Sequence, residues 1–370
     1  MADIDKSLPN QPEVTVEDQK TIEVDTGTPV EPQKDIEVTE TLDGGAEISF
    51  DPNAIIPQSS NTHFQNLAEL LDGTILDPLG ANLMNDYIDY KASRKDWENT
   101  YRNGLDLLGF KYTQRTEPFK GAAGVTHPVL AEAVTQFQAQ AYKELLPADG
   151  PVRTQILGLQ TPQKQEQSLR VKDFMNYQIM DQMKEYEPEF DQMLFYLPLS
   201  GSTFKKVYYD DLLGRAVSKF IPADDLVVPY SATSLDDAEA VMHIIKMSKN
   251  DLRKQQVGGF YRDVDLTPPN MQNDEITKKE QELEGVKQLK QDDMYTLIEC
   301  HVNVDLEGFE DMKDGETTGI KLPYVVTIEE GSRKVLSIRR NYKEGDIRKN
   351  KINYFVQFKF LPGTGFYGFG

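Results

Sequence analysis

Gly363, Gly365 and Gly368 stand in the spacing G-x-G-x-x-G, directly after a predicted strand. In a dinucleotide site such glycines let the backbone and a helix N-terminus approach a pyrophosphate. Here Phe366 and Tyr367 put bulk where close approach is wanted, the preceding strand alternates apolar with polar residues, and no ribose-binding acid can be identified. A turn leading into packed aromatic rings is the simpler reading, and a cofactor site is its rival. The four histidines, His63, His127, His243 and His301, have no neighbours at the spacing of three or four that metal sites on helices use. His127-Pro128 reads as a turn at a helix start, and His243, among Val and Ile, as a core residue. Two acid pairs, Asp210-Asp211 and Asp224-Asp225, could serve a two-metal nuclease, but they fall beside predicted strands where Asp commonly makes turns. Asp292-Asp293 reads as linker charge. No G-x-x-x-x-G-K-[ST] and no Ser-centred elbow occur. The sequence therefore nominates no catalytic, cofactor-binding or metal-ligating residue, and the chain is expected not to be an enzyme.

Composition points the same way. The 370 residues hold 38% hydrophobic and 27% charged residues, enough for a sizeable core in one large domain or two ordinary ones. Cys300, the single cysteine, excludes an intrachain disulfide and alternates with apolar residues as a buried thiol would. No apolar run reaches 18 residues, so no membrane span is expected. The net charge is −21, of which residues 1–60 carry −11, with 14 Asp and Glu against three Lys. Gripping DNA through its phosphates takes a cluster of cations, and no sustained Lys/Arg face is present. An acidic balance suits a passage better than a clamp, and it suits most cytosolic proteins equally well.

The elements that would position any site divide the chain. Residues 1–60, rich in acid and proline with Phe50 as the one large ring, predict a disordered arm; Thr21–Asp25 and Asp35–Thr39 echo each other and could each make a strand, though an isolated pair is marginal. Residues 61–200 read as helical: a short helix at Phe64–Leu71, a long one at Leu79–Leu108, and others at Val129–Leu145, Gln163–Tyr186 and Pro188–Leu197. In the third, Val129, Leu130, Val134, Phe137, Ala141 and Leu145 share a side, and Glu132, Gln136, Gln138, Gln140, Lys143 and Glu144 lie opposite. Over 201–370 the period becomes two. Strands are predicted at Phe204–Tyr209, Arg215–Ile221, Leu226–Val228, Ala240–Met247, Tyr295–Asp305, Tyr324–Glu329, Lys334–Asn341 and Asn353–Phe360. Ser248 caps a short helix, Lys249–Gln256, and residues 262–293 form a polar linker with a solvated helix at Glu275–Leu289. The fold class is α+β, a helical first half followed by a mostly antiparallel sheet region. Nothing in the sequence packs the final Gly/aromatic block, which reads as the lead-in to another element.

Four blocks carry a resemblance. They are Phe119–Thr154, with its Gly-rich loop, His127-Pro128 and apolar helix; Leu199–Asp210; Phe220–Pro229; and Phe360–Gly370. In this order, over about residues 80 to 370, the chain resembles the portal proteins of tailed double-stranded-DNA bacteriophages, in particular the large portals of short-tailed phages. The resemblance implies a structural subunit of a ring, usually dodecameric, at one capsid vertex of the virion, assembled in the host cytoplasm. It implies a wing-like region over 61–370, truncated before the channel-forming helices. It also implies partners: further copies of the chain, major capsid and scaffolding proteins, the terminase large subunit, tail and head-completion proteins, and double-stranded DNA threaded without sequence preference, with no membrane and no cofactor. The rivals are a dinucleotide-binding enzyme using the terminal glycines and an acidic scaffold or adaptor that forms no ring.

Overall fold

The computed structural model describes residues 36–40, 46–50, 62–109, 119–122, 124, 127–210, 213–269, 275–286, 294–313, 315–363 and 365–370. The chain divides into two units, Met1–Ser60 and Asn61–Gly370. In the first, β1 (Ile36–Glu40) and β2 (Ala46–Phe50) form an antiparallel pair with Val38 opposite Ile48. The second Ile/Val/Glu echo thus becomes a strand, where a disordered arm was expected; the first, Thr21–Asp25, lies outside the described residues.

The second unit begins with two 3-10 turns, Thr62–Phe64 and Leu67–Glu69, in place of the single short helix expected at Phe64–Leu71. Asn66 separates them: its Oδ1 accepts from the Ala68 and Ile338 amides, and its Nδ2 donates to the Leu336 carbonyl. The long helix expected at Leu79–Leu108 starts earlier and breaks in two, α1 (Gly73–Ser93) and α2 (Lys95–Leu108), with Arg94 between them at φ −98° and ψ 10°. Pro78 is accommodated within α1. Then come α3 (Val129–Leu145), α4 (Pro162–Tyr177) and α5 (Tyr186–Ser200). A π turn at Gln178–Gln182 ends α4 nine residues before the expected Tyr186. Pro188 lies in the first turn of α5, not at its start, because that turn leaves amides unpaired in any case. Gly201, at φ 77°, closes α5 in the left-handed conformation that favours glycine.

The remaining elements alternate as the period of two predicts. They are β3 (Ser202–Asp210), β4 (Arg215–Pro222), β5 (Leu226–Val227), β6 (Ala240–Met247), α6 (Lys249–Val257), α7 (Glu275–Glu284), β7 (Tyr295–Val304), the two-residue strands β8 (Met312–Lys313) and β9 (Glu316–Thr317), β10 (Leu322–Glu329), β11 (Val335–Arg340) and β12 (Phe355–Lys359). The Ser248 Oγ caps α6 by accepting from the Asp251 amide at 3.1 Å. Antiparallel sheets of order β11-β10-β7-β6-β5 and β12-β3-β4 result, and the fold is α+β.

The five-stranded sheet is covered on both faces. Ile298, Cys300 and Val302 of β7 face the stripe Leu76, Leu83, Met84 and Tyr87 of α1 in one core. On the opposite face Val241 of β6 packs with Phe204, Ile221 and Phe355 of the three-stranded sheet. Helix α3 packs against α5 through Phe137, Ala141 and Tyr142, which meet Phe190, Met193 and Leu194. Two parts of the expected α3 pattern fail. Val129 and Leu145 remain exposed, and Gln138, placed on the solvent side, donates to Asp191 Oδ1 of α5 at 2.9 Å.

The final block is packed, contrary to the sequence expectation. Phe366 is buried and stacks on Phe204, and Leu361 and Phe369 exchange backbone hydrogen bonds. The Gly368 amide donates to Ser202 Oγ at 2.7 Å. A Cβ on Gly368 would run into the carbonyl oxygen of Gly201, so that position is reserved for glycine by backbone approach.

Candidate functional site

The terminal glycines do not converge on a cleft. Gly368 lies against the backbone of Gly201, nothing lies within 4 Å of a Cβ built on Gly365, and the rings between them point inward. Tyr367 stacks on Trp97 at 4.6 Å and donates its hydroxyl to the Leu226 carbonyl. That hydroxyl also accepts from Arg94 Nη1 at 3.0 Å. Arg94 is 5% exposed and completes a hub: Nη1 and Nη2 donate to the carbonyls of Ala223, Leu226 and Asp224, and Nε pairs with Glu98 at 2.8 Å. Burial pulls its pKa down, but Tyr367 and Glu98 more than offset this and hold it above the usual arginine value. The block thus serves as a clamp between the α1–α2 break and the two sheets.

The histidines separate. His63 Nε2 lies 3.0 Å from the Tyr342 carbonyl, and His127 is exposed. His243 and His301 come together on one face of the large sheet, because His243 pairs across strands with Glu299 and His301 follows Glu299 by two. His301 Nε2 is 2.7 Å from Glu299 Oε1 and His243 Nδ1 is 4.0 Å from it. Lys206, reaching over from β3, places its Nζ 2.5 Å from the same oxygen. Burial alone would raise the Glu299 pKa; Lys206 and His301 reverse that and hold it below the usual carboxylate value. Burial pushes His243 down to about 3 and lowers His301 as well. The cluster is a buried carboxylate neutralised by one ammonium beside two neutral imidazoles, joining the sheets. Cys300 is fully buried, and burial raises its pKa, so it is a core thiol and not a nucleophile.

The acid pairs also part company. Asp210 accepts from the Leu213 amide at the β3–β4 turn, while Asp211, Asp292 and Asp293 lie outside the described residues. Asp224 and Asp225 occupy a 3-10 turn, Ala223–Asp225, beneath α2. Burial and the neighbouring Asp224 raise the Asp225 pKa to about 7. Among the described residues no group of three or more His, Cys, Asp or Glu is arranged to hold a metal ion, and no helix is long and apolar enough to cross a membrane.

What the molecule displays is a surface. No residue of α4 is buried. Its polar stripe faces the protein: Ser168 Oγ donates to Thr154 Oγ1 at 2.7 Å, and Asn176 bonds both the amide and the carbonyl of Val152. Lys172, one turn from each, lines the same cleft of about 650 Å³ between α4 and residues 147–160. Phe174 and Tyr177 point the other way, with Leu169, Val171 and Met175 on the flanks, all more than two-fifths exposed. Beside the helix, Leu157 and Leu159 are 84% and 79% exposed. Amphipathic helices ordinarily turn the apolar side inward; in α4 the inward stripe is polar, and the exposed side mixes Phe174 and Tyr177 with the Glu166–Arg170 ion pair. Residues 152–157 between α3 and α4 belong to no helix or strand, and they make no backbone–backbone hydrogen bond among the described residues. The sequence supplied the apolar residues of α4, but which side they would take depends on Thr154 and Val152, and no periodicity encodes that. Compared with known proteins, no family model matches the chain and no curated protein matches it in sequence.

Proposed function

We propose that this chain is a structural subunit that assembles with copies of itself, and that its assembly is the portal ring of a tailed double-stranded-DNA phage. The observation that carries the assembly reading is helix α4, whose inward stripe is polar and which offers Phe174 and Tyr177 together with Leu157 and Leu159 to a partner. Exposed apolar clusters of this kind mark interaction surfaces. The step from assembly to portal rests on the sequence blocks Phe119–Thr154, Leu199–Asp210, Phe220–Pro229 and Phe360–Gly370 in their order.

In this reading the subunit makes and breaks no bonds. The α4 surface of one copy meets a different surface of the next, a head-to-tail contact that closes a ring if the rotation closes. DNA passes through during packaging and ejection, driven by a separate terminase motor, and capsid, scaffolding, tail and head-completion proteins dock around the ring. The acidic balance favours a lining that does not hold phosphates. The test is mass photometry and negative-stain microscopy of the purified protein over a range of concentration and salt. Annular particles of many copies are expected. Monomers and dimers alone under all conditions, or turnover of a nucleotide, would overturn the reading.

A further inference from the structure

Helix α7 is held to the body by little. Of its ten residues only Ile276 is buried. With Leu283, seven residues on, Ile276 joins Tyr101, Leu105 and Leu199 in a small apolar cluster. Two ion pairs flank this contact, Arg102 with Glu275 and Lys279 with Asp106. Between Ile276 and Leu283, on the same side, Glu280 faces inward, and the Tyr101 hydroxyl lies 3.3 Å from its Oε1. Ten residues is too short a helix to persist by itself in water. The seam where α7 meets α2 therefore decides whether it stays.

That seam is over-supplied with acid. Glu280 shares it with Asp224 and Asp225 from the turn beneath α2. The other groups facing it are Tyr101, Glu98, Arg102 and Asp106 of α2, Tyr196 of α5, Lys246 of β6, and Arg94 and Lys91 at the end of α1. Arg94 is already committed to Glu98, and Lys246 Nζ reaches Thr277 Oγ1 of α7 at 3.4 Å. Helix α7 itself adds Glu275, Lys278, Lys279, Glu282 and Glu284 along its outer edges.

We propose that α7 is a strap that docks on α2 while the carboxyl groups of Glu280 and Asp225 hold protons, and loosens as they ionise, uncovering the apolar groove at Tyr101 and Leu105. Burial, and then the charge of Asp224, raise Glu280 from 4.5 to about 7 in the docked state. The docked form thus binds a proton more tightly than the released form, whose carboxyl is in water. Docking is firmest at pH below about 4.5, weakens as pH rises, and is weakest above about 7, once Glu280 is charged in both forms. The steep part of this range lies between about 4.5 and about 7, so a mild acidification from neutral pH is enough to tighten the strap.

Hydrogen exchange read by mass spectrometry on the intact protein tests this, after correction for intrinsic rates. Between about pH 5.5 and about pH 8.5, protection of the α7 amides is expected to fall roughly tenfold or more, while β7 keeps its protection. In Glu280→Gln, which stays neutral, α7 should keep most of its protection at the higher pH. Trp97, the single tryptophan and a neighbour of Tyr101 in the same cluster, gives a second readout: its emission should shift with pH in the parent protein and less in the variant. Equal α7 protection at both pH values, a loss shared by β7, or an undiminished loss in Glu280→Gln would each overturn the proposal. None of these outcomes depends on whether the chain forms rings.

Discussion

Lys206 and Glu299 meet 2.5 Å apart between two sheets, each side chain 15% exposed, with His243 and His301 alongside. Removing one member of such a pair leaves an uncompensated buried charge. Lys206→Met is expected to cost about 3–5 kcal/mol in urea unfolding at neutral pH, and adding Glu299→Gln should recover part of the loss. The same cluster sets an acid limit. In the fold Glu299 has a lowered pKa, so its contribution is fully present above the ordinary value of 4.5 and is lost as pH falls through the lower folded value. His243 is held neutral at about 3, whereas the unfolded chain takes up that proton near 6.5, so stability also drops from about pH 6.5 downward. Urea midpoints measured at several pH values should therefore show the parent protein losing stability relative to His243→Gln below about 6.5, on top of any opposite contribution from Glu280 and Asp225. A difference that stays flat with pH would show that the histidine is solvated.

Among the elements, α4 and α7 lie at opposite ends of one design. Helix α7 turns its apolar residues inward and is held by few of them; α4 turns them outward and is held by polar contacts. Replacing Phe174 and Tyr177 together by Ser removes apolar surface on the side of α4 turned away from the cleft, which no described residue buries. Stability of the monomer should change by less than about 0.5 kcal/mol, while association, followed by mass photometry, should be lost. A double variant that unfolds would mean that these residues are buried within the subunit, and one that associates normally would show that α4 is not the contact. The cleft behind α4 is lined by Ser168, Lys172, Thr154 and Gln165 together with Leu169 and Ile156, and the Ser168–Thr154 hydrogen bond helps keep the helix in place without burying it.

At the scale of the molecule, closure depends on the last residues. Gly368 bonds Ser202 across 166 positions, Tyr367 joins Trp97 to Arg94, and Phe366 fills the core beneath β3. Gly368→Ala forces a methyl into the carbonyls of Gly201 and Leu361, and overpacking of this kind costs about 1–3 kcal/mol. Because Trp97 is the single tryptophan and stacks on Tyr367, the variant should show a red-shifted emission before any global unfolding. An unchanged spectrum with unchanged stability would mean that the block does not clamp the fold.

Sequence by itself determined whatever depends on local chemistry. The Ser248 cap, the helix Val129–Leu145, the switch to period two after Gly201 and the burial of Cys300 each follow from neighbours a few residues apart. The break at Arg94 could not be read, because its carbonyl partners lie about 130 positions away. Nor could the meeting of His243, Glu299 and Lys206, which needs strand register and the stacking of two sheets to bring distant residues together. The terminal glycines carry a motif's spacing, yet their use was settled by the backbone of Gly201 lying against them. Local propensity acts over one turn of helix or one strand pair, whereas these contacts exist only after the chain has folded back on itself; that is why tertiary structure alone decided which side of α4 faces outward.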